Sequence, residues 1–142
     1  MVSNQTFNWS IRVYYEDTDS GGVVYHSNYL NFMERARTEW LRHLGFEQTY
    51  LKDALNIMFV VHSMQIAFKK PAKFNDMLTI TSQLTYLGRG SFEFMQTITT
   101  NEPALGDRNV LVEAQVKLAC VNALTFKPVG IPEPIKLTME QT

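Results

Sequence analysis

The stretch that decides the fold covers residues 12–29 and reads RVYYEDTDSGGVVYHSNY. It opens with alternating residues typical of a strand, passes through Asp17 and Asp19 to a glycine pair, and leads directly into a helical pattern. Both carboxylates lie where the strand is expected to end, and Gly21 and Gly22 allow the backbone to turn sharply. The next helix would point unpaired N–H groups back towards the carboxylates. The stretch therefore predicts a site that moves a proton while stabilising a developing negative charge.

The segments on either side of this stretch predict a strand and a long helix. The strand runs from Phe7 to Tyr15 and the helix from Tyr29 to Leu44. Ser27 or Asn28 is the predicted N-cap, and Gly45 follows the last helical turn. Apolar residues recur along one face of the helix at a spacing of three to four, namely Tyr29, Met33, Ala36, Trp40 and Leu44.

The rest of the chain predicts a short helical piece and at least four more strands. The helical piece is expected near Glu47–Leu55, and a period of two then marks Val60–Lys69, Leu78–Tyr86, Phe92–Ile98 and Val110–Cys120. Most of the connections are too short for helical crossovers, so the sheet is expected to be antiparallel and the fold class α+β. Two further segments carry no strand signal: Asn101–Arg108 is expected to be a polar loop, and the prolines from Pro128 onwards predict an irregular tail or a short terminal turn.

Composition narrows the function classes. With 142 residues, 45% of them hydrophobic, we expect a single domain over residues 1–142. A net charge of −1 gives no basic field for nucleic acid or a membrane surface. No apolar run approaches the roughly 20 residues that span a bilayer, and the first cationic side chain, Arg12, comes too late for a signal peptide. Cys120 is the only cysteine, which favours the cytoplasm.

The deciding stretch resembles the active-site signature of the 4-hydroxybenzoyl-CoA thioesterase family of hotdog-fold enzymes. The matching positions are Arg12-Val13, Thr18-Asp19, Gly22-Val23-Val24, His26 and Tyr29. Further similarity, in Glu34–Glu39, Met58–Val61 and Cys120-Val121, most resembles the YbgC-type branch, acyl-CoA thioesterases associated with the Tol–Pal system of Gram-negative bacteria. The resemblance implies a sheet of about five strands wrapped around one long helix. It also implies hydrolysis of acyl-CoA to a carboxylic acid and free coenzyme A, with no cofactor.

The resemblance also implies that Asp19 is catalytic. Asp19 would act as a general base on water or as a nucleophile that forms a mixed anhydride, and the sequence leaves both routes open. The alternative is an aspartate that only caps a turn through its own backbone. Asp17 is interpreted as a structural or orienting acid, although on an extended backbone it would point the same way as Asp19.

The start of the helix supplies the predicted oxyanion donors, the backbone N–H groups of Tyr25 and His26. In the family, the amide at the position matching His26 polarises the thioester carbonyl. The His26 side chain could orient Asp19, handle a proton or line the pocket, or it could be an ordinary hydrogen-bonded wall residue. We predict no metal site, because there is no HxxxH or CxxC pattern. His43 is expected at the surface.

Other residues are predicted to bind the substrate. Those expected to line the site or touch the acyl group are Tyr25, Tyr29, Val60, Val61 and His62, although His62 could simply lie on a sheet face. Arg89, with Ser91 beside it, is expected to bind the anionic nucleotide end of coenzyme A, because it lies in a strand connection that contributes to coenzyme A binding in relatives. The alternative for Arg89 is an ordinary solvated surface charge.

Two rival functions stay open. One is a hotdog dehydratase with His26 as the base. The other is an interaction module that binds acyl carrier protein or phospholipid-synthesis enzymes and retains little hydrolysis. Open sheet edges predict a homo-oligomer whose smallest unit is a dimer, and the resemblance implies a dimer of dimers, a homotetramer.

Overall fold

The protein forms an antiparallel sheet wrapped around a long helix. The computed structural model describes residues 5–100 and 109–142. In this part, five strands lie in the order β1-β3-β4-β5-β2, and all neighbours are antiparallel. The elements in chain order are β1 (Thr6–Arg12), a 3-10 turn (Tyr15–Asp17), α1 (His26–His43), α2 (Gln48–Leu55), β2 (Ile57–Phe68), β3 (Met77–Leu87), β4 (Ser91–Thr100), β5 (Asn109–Asn122) and α3 (Glu133–Glu140). The predicted α+β class is confirmed.

The core lies between α1 and one face of the sheet. The helix buries its apolar stripe, formed by Tyr29, Phe32, Met33, Ala36, Trp40 and Leu41. Trp40 packs edge-on against Phe94 of β4, with ring centroids 4.8 Å apart. The helix ends as predicted, because Gly45 adopts φ +99°, a conformation that favours glycine after a last helical turn. The predicted apolar face of the long helix is thus confirmed, and Leu44 is half-buried at the end of that face.

Two predicted boundaries around the deciding stretch are wrong. β1 ends at Arg12 rather than Tyr15, because residues 15–17 coil into a 3-10 turn. The long helix begins at His26 rather than Tyr29, and its N-cap residue is Tyr25 rather than Ser27 or Asn28. The Asn28 side chain is used elsewhere, since its Nδ2 donates to Asp17 Oδ1 at 2.9 Å.

The C-terminal segment also differs from the prediction. It forms α3, which buries Ile135 and Met139 against the rest of the protein. Pro132 is the N-cap residue and Pro134 lies in the first turn, where a missing N–H costs the helix nothing. The prolines therefore start a helix instead of preventing one.

Two other predictions concern the connections. The short helical piece predicted near Glu47–Leu55 is confirmed as α2, and the predicted loop Asn101–Arg108 lies outside the described residues.

Strand β2 forms one edge of the sheet. With 12 residues it is the longer of the two edge strands, since β1 has 7, and on its inner side it pairs with β5. Its ladder is interrupted at His62, which lies between the pairs made by Val61 and Ser63. Val61 and Phe68 are both about half exposed along it. None of the helices in the described part of the chain is long and apolar enough to cross a membrane.

Candidate active site

A small hairpin over residues 18–24 presents Asp19. The Asp19 N–H donates to the Val23 carbonyl at 2.9 Å, and the Gly22 N–H donates back to the Asp19 carbonyl at 3.0 Å. Gly22 closes this turn at φ +82°, where a side chain would be strained. The Val24 N–H then donates to the Ala72 carbonyl at 2.9 Å, which fixes the hairpin to the β2–β3 connection.

The Asp19 carboxylate is exposed and only half engaged. Oδ1 accepts a hydrogen bond from the Gly21 N–H at 2.7 Å. Oδ2 has no hydrogen-bond partner within residues 5–100 and 109–142. The turn-capping alternative is therefore seen at one oxygen, while the other oxygen is available to a substrate or water.

Asp17 has a different environment, although it lies only two residues away. It is buried, and its Oδ2 accepts from the Tyr14 N–H at 2.9 Å while its Oδ1 accepts from Asn28. The two carboxylates do not share an extended backbone, because Asp17 belongs to the 3-10 turn. These contacts agree with the interpretation of Asp17 as a structural acid, and the premise that it follows an extended strand is wrong.

The start of α1 offers one of the two predicted oxyanion donors. The Tyr25 N–H is already used, because it donates to the Asp17 carbonyl at 3.0 Å, so this half of the prediction is wrong. No described residue accepts a hydrogen bond from the His26 N–H. As the first residue of α1, His26 holds this N–H at the positive end of the helix dipole, which favours an oxyanion.

Asp19 and His26 line the same cleft, whose volume is about 220 Å³. Its other lining residues are Val23, Val24, Tyr29 and the segment 68–71. The His26 ring packs edge-on against Phe68 at 4.9 Å, and it makes no hydrogen bond with a described side chain. Among the described residues there is also no group of three or more His, Cys, Asp or Glu side chains that could hold a metal ion.

Tyr29 anchors the floor of this cleft. Its hydroxyl accepts a hydrogen bond from the Ala72 N–H at 2.9 Å, and both residues are buried. Burial raises the pKa of the Tyr29 phenol, the hydrogen bond from Ala72 lowers it, and the negative charges of Asp76 and Asp19 raise it further. The phenol is therefore neutral at neutral pH, and its hydroxyl oxygen is already engaged by the Ala72 N–H.

Comparison with known proteins assigns the family. The model of the thioesterase superfamily matches residues 21–107. The chain is 44% identical over 140 residues to the acyl-CoA thioester hydrolase YbgC of Escherichia coli O6:H1, which covers 99% of this chain and 100% of that protein. The chain belongs to the thioesterase superfamily.

Other relatives extend the comparison. The acyl-CoA thioesterase YbgC of Haemophilus influenzae is 41% identical over 130 residues, which are 92% of this chain and 91% of that protein. A probable thioesterase from Bartonella henselae has a solved structure with a TM-score of 0.82 and 37% identity, covering 90% of this chain and 100% of its own. The hotdog fold implied by the signature is confirmed by such thioesterase-superfamily structures.

The remaining predicted substrate residues lie at the far end of the sheet. Ser91 pairs with Ala119, and Val60 pairs with Ala119 from the other side, so β4, β5 and β2 align there. Phe68, which lines the Asp19 cleft, is eight residues further along β2, roughly 26 Å at the usual rise per residue. The far group consists of Val60, Val61, His62, Arg89 and Ser91. Within a single copy of the chain, this far group does not line the cleft that contains Asp19.

The far group has its own surroundings. Val60 and Val61 line a second cavity, of about 270 Å³, between α1 and the sheet. Arg89 is exposed in the β3–β4 hairpin, and its carbonyl accepts from the Ile131 N–H at 2.8 Å. His62 and His43 are both exposed, and the expectation for His43 is confirmed.

Three residues that support the cleft are not predicted from the sequence, and of these Phe68 also lines it. Asn28 holds Asp17, Phe68 supports the His26 ring, and Ala72 binds the Tyr29 hydroxyl. Asn28 lies inside the deciding stretch, but there its residue type favours the N-cap of the long helix rather than a contact with Asp17. Phe68 and Ala72 gave no signal in the sequence, because their roles depend on how β2 and the connection after it meet α1.

Proposed function

We propose that this protein hydrolyses acyl-CoA thioesters to a carboxylic acid and free coenzyme A. The observation that carries the proposal is the single cleft shared by Asp19 and His26, whose Oδ2 atom and backbone N–H have no hydrogen-bond partner among the described residues. One group accepts a proton or attacks carbon, and the other stabilises negative charge on oxygen. The E. coli and H. influenzae relatives, named acyl-CoA thioester hydrolase and acyl-CoA thioesterase, support the same reaction.

The reaction has two balanced routes. The thioester carbonyl oxygen accepts a hydrogen bond from the His26 N–H, which makes the carbonyl carbon more electrophilic. In the first route Asp19 takes a proton from water while the water oxygen attacks the carbon, and the C–S bond then breaks. In the second route Asp19 itself attacks, coenzyme A leaves as the thiolate, and water hydrolyses the mixed anhydride. In both routes the sulfur finally receives a proton and the acyl group leaves as a carboxylate.

The far group of residues supports a dimer. The outer edge of β2 has no strand partner in the described part of the chain, and an edge of this length invites pairing. Full antiparallel overlap of two copies of β2 would put Phe68 opposite the partner's Ile57. Phe59, which lines the second cavity, would lie opposite the partner's Ile66, two residues or about 7 Å from the partner's Phe68.

Such pairing would complete the site. The cavity lined by Val60 and Val61 would approach the partner's Asp19 cleft as an acyl pocket. The hairpin with Arg89 and Ser91 lies at the same end of the sheet as that cavity, so Arg89 would be placed to bind the nucleotide end of the substrate. This arrangement would explain why residues predicted to bind one substrate are separated within one copy of the chain.

The rival functions have less support. A dehydratase would use the His26 ring as its base, yet that ring packs against Phe68 and no described side chain orients it by hydrogen bonding. Binding of acyl carrier protein, association with the Tol–Pal system and a homotetramer stay predictions from the resemblance. The cytoplasm also stays a prediction, based on the lone, buried Cys120.

Thiol release from acyl-CoA tests the proposal. Asp19→Asn is expected to fold normally and to lose activity by a factor of about 10²–10⁴, because the amide cannot accept the proton. Asp17→Asn is expected to lose less activity, since the Asp17 carboxylate contacts the Tyr14 N–H and the Asn28 side chain and does not line the cleft. Asp53→Asn, an exposed change on α2, removes the same charge and serves as the matched control. Equal, small effects of the Asp19 and Asp17 substitutions would contradict the assigned roles.

A further inference from the structure

A buried cation lies in the second cavity. Arg37, in the middle of α1, is only 7% exposed, and its Nη1 donates to Gln96 Oε1 at 2.9 Å. Gln96 is fully buried and donates in turn to the Met33 carbonyl and to Ser82 Oγ. The network holds the guanidinium in a fixed position between helix and sheet.

The charge of Arg37 is not neutralised within the described residues. None of their carboxylates forms an ion pair with it, and Nη1 is the one guanidinium nitrogen with a hydrogen-bond partner there. The other guanidinium nitrogens are not completely buried, since in the described part the only fully buried side-chain polar atom without a partner is Thr100 Oγ1. Burial lowers the pKa of Arg37, and the charge of Glu34 raises it. A buried cation of this kind gains from an anion that satisfies its free N–H groups.

The cavity around Arg37 has one polar wall and one apolar wall. Arg37, Glu34, Thr38 and Gln48 form the polar side, and the apolar side consists of Trp40, Leu41, Phe59, Val60, Val61, Phe92, Phe94 and Leu118. Its volume of about 270 Å³ corresponds to roughly nine water molecules, the size of a short acyl chain. The lining therefore suits a ligand with an apolar body and one oxygen-bearing end.

We propose that Arg37 determines specificity by binding a carboxylate at the far end of the acyl group, so that the preferred substrates are ω-carboxyacyl thioesters. This inference rests on the proposed function, because it takes the second cavity as the acyl pocket of the partner's site. A guanidinium binds a carboxylate through two parallel hydrogen bonds, whereas an alkyl end would leave its N–H groups unpaired. Glu34 is exposed at the polar wall, where water screens its repulsion of the ligand.

Matched substrates test the proposal. Adipyl-CoA and hexanoyl-CoA have the same number of acyl carbons and differ at the far end. We expect kcat/KM for adipyl-CoA to exceed that for hexanoyl-CoA by about tenfold or more in the wild-type protein, the usual strength of a charged hydrogen bond. Arg37→Met should bring the ratio to about one, and Arg37→Lys, which keeps the charge, should retain part of it. Arg35→Met, an exposed change on the same helix with the same loss of charge, should leave the ratio unchanged.

Several results would overturn the proposal. These are a wild-type ratio near one, an unchanged ratio in Arg37→Met, or equal losses on both substrates, which would mark Arg37 as purely structural. A stronger preference for 6-hydroxyhexanoyl-CoA would show that the far end is a neutral hydroxyl. Calorimetric binding of both thioesters to Asp19→Asn, with and without Arg37→Met, gives the ratio without hydrolysis. Failure of the hydrolysis proposal can therefore be distinguished from failure of this one. If Arg37→Met folds poorly, Arg37→Lys becomes the test variant, and the ratio of the two binding affinities decides the outcome.

Discussion

Replacing Tyr29 by phenylalanine should destabilise the protein without removing its chemistry. Tyr29 is 3% exposed, and its hydroxyl is the acceptor for the N–H of Ala72, which is 0% exposed. Phenylalanine keeps the ring contacts with Phe68 and Phe32, whose centroids lie 5.7 Å and 6.3 Å away. The substitution therefore removes one hydrogen bond and leaves one buried backbone donor without a partner.

The magnitude follows from that orphaned donor. A buried N–H that loses its acceptor costs about 1–3 kcal/mol in the free energy of unfolding. For a chain of this size, the loss corresponds to a fall in Tm of roughly 3–10 °C. The folded-state pKa of Tyr29 is raised above its ordinary value of 10.0, so the stability linked to the neutral phenol is fully present below pH 10 and declines above it. The gap between wild type and variant should therefore be constant near neutral pH and narrow in strong alkali.

Urea and thermal unfolding measure the effect, at one protein concentration because an oligomer's apparent stability depends on concentration. Tyr50→Phe removes the same hydroxyl from an exposed position on α2 and should change stability by less than about 0.5 kcal/mol. Thiol release should stay within a few-fold of wild type at temperatures where both proteins are folded. If Tyr29→Phe kept the stability of the wild type but lost much of its kcat/KM, the reasoning would be refuted, because the hydroxyl would then contact the substrate.

Two further predictions concern the dimer and the nucleotide end. Light scattering at micromolar concentration should give an even multiple of the 16.4 kDa chain mass, and a monomer would contradict the completed site. Arg89→Ala should raise KM for acyl-CoA and leave kcat nearly intact, because a phosphate contact is made equally in ground and transition states. The effect should shrink with an acyl-pantetheine thioester, which lacks the nucleotide, and equal losses on both substrates would contradict the assignment.

Periodicity predicted the elements well where one face is buried. The alternation in β5 and the stripe on α1 both arise from burial against a single core, and both were found as expected. The errors lie where local hydrogen bonds override the pattern. Residues 13–15 continue the alternation of β1, yet the buried carboxylate of Asp17 draws the Tyr14 N–H into a turn. A competing side-chain acceptor of this kind leaves no mark on hydrophobic periodicity.

The predicted site residues divide into those that the deciding stretch could place and those that it could not. Asp19, His26 and Tyr29 are close in sequence, and one hairpin and one helix start bring them together. Val60 and Arg89 depend on strand register and, by our proposal, on a second copy of the chain. Spacing along one sequence carries no information on pairing between copies, so the sequence could name these residues as substrate-binding but could not position them.

In the proposed mechanism, the two aspartates explain why only one N–H group at the start of α1 would act as the oxyanion donor. Tyr25 and His26 both lie where α1 begins, and both N–H groups would be unpaired in an isolated helix. The Asp17 carbonyl takes the Tyr25 N–H at 3.0 Å, and its buried side chain, held by Asn28, keeps that carbonyl in place. The His26 N–H is then left without a described partner, in the cleft that also contains Asp19. By our proposal, Asp17 would therefore support catalysis by occupying the competing donor, while Asp19, two residues later, stays exposed and would act on the substrate.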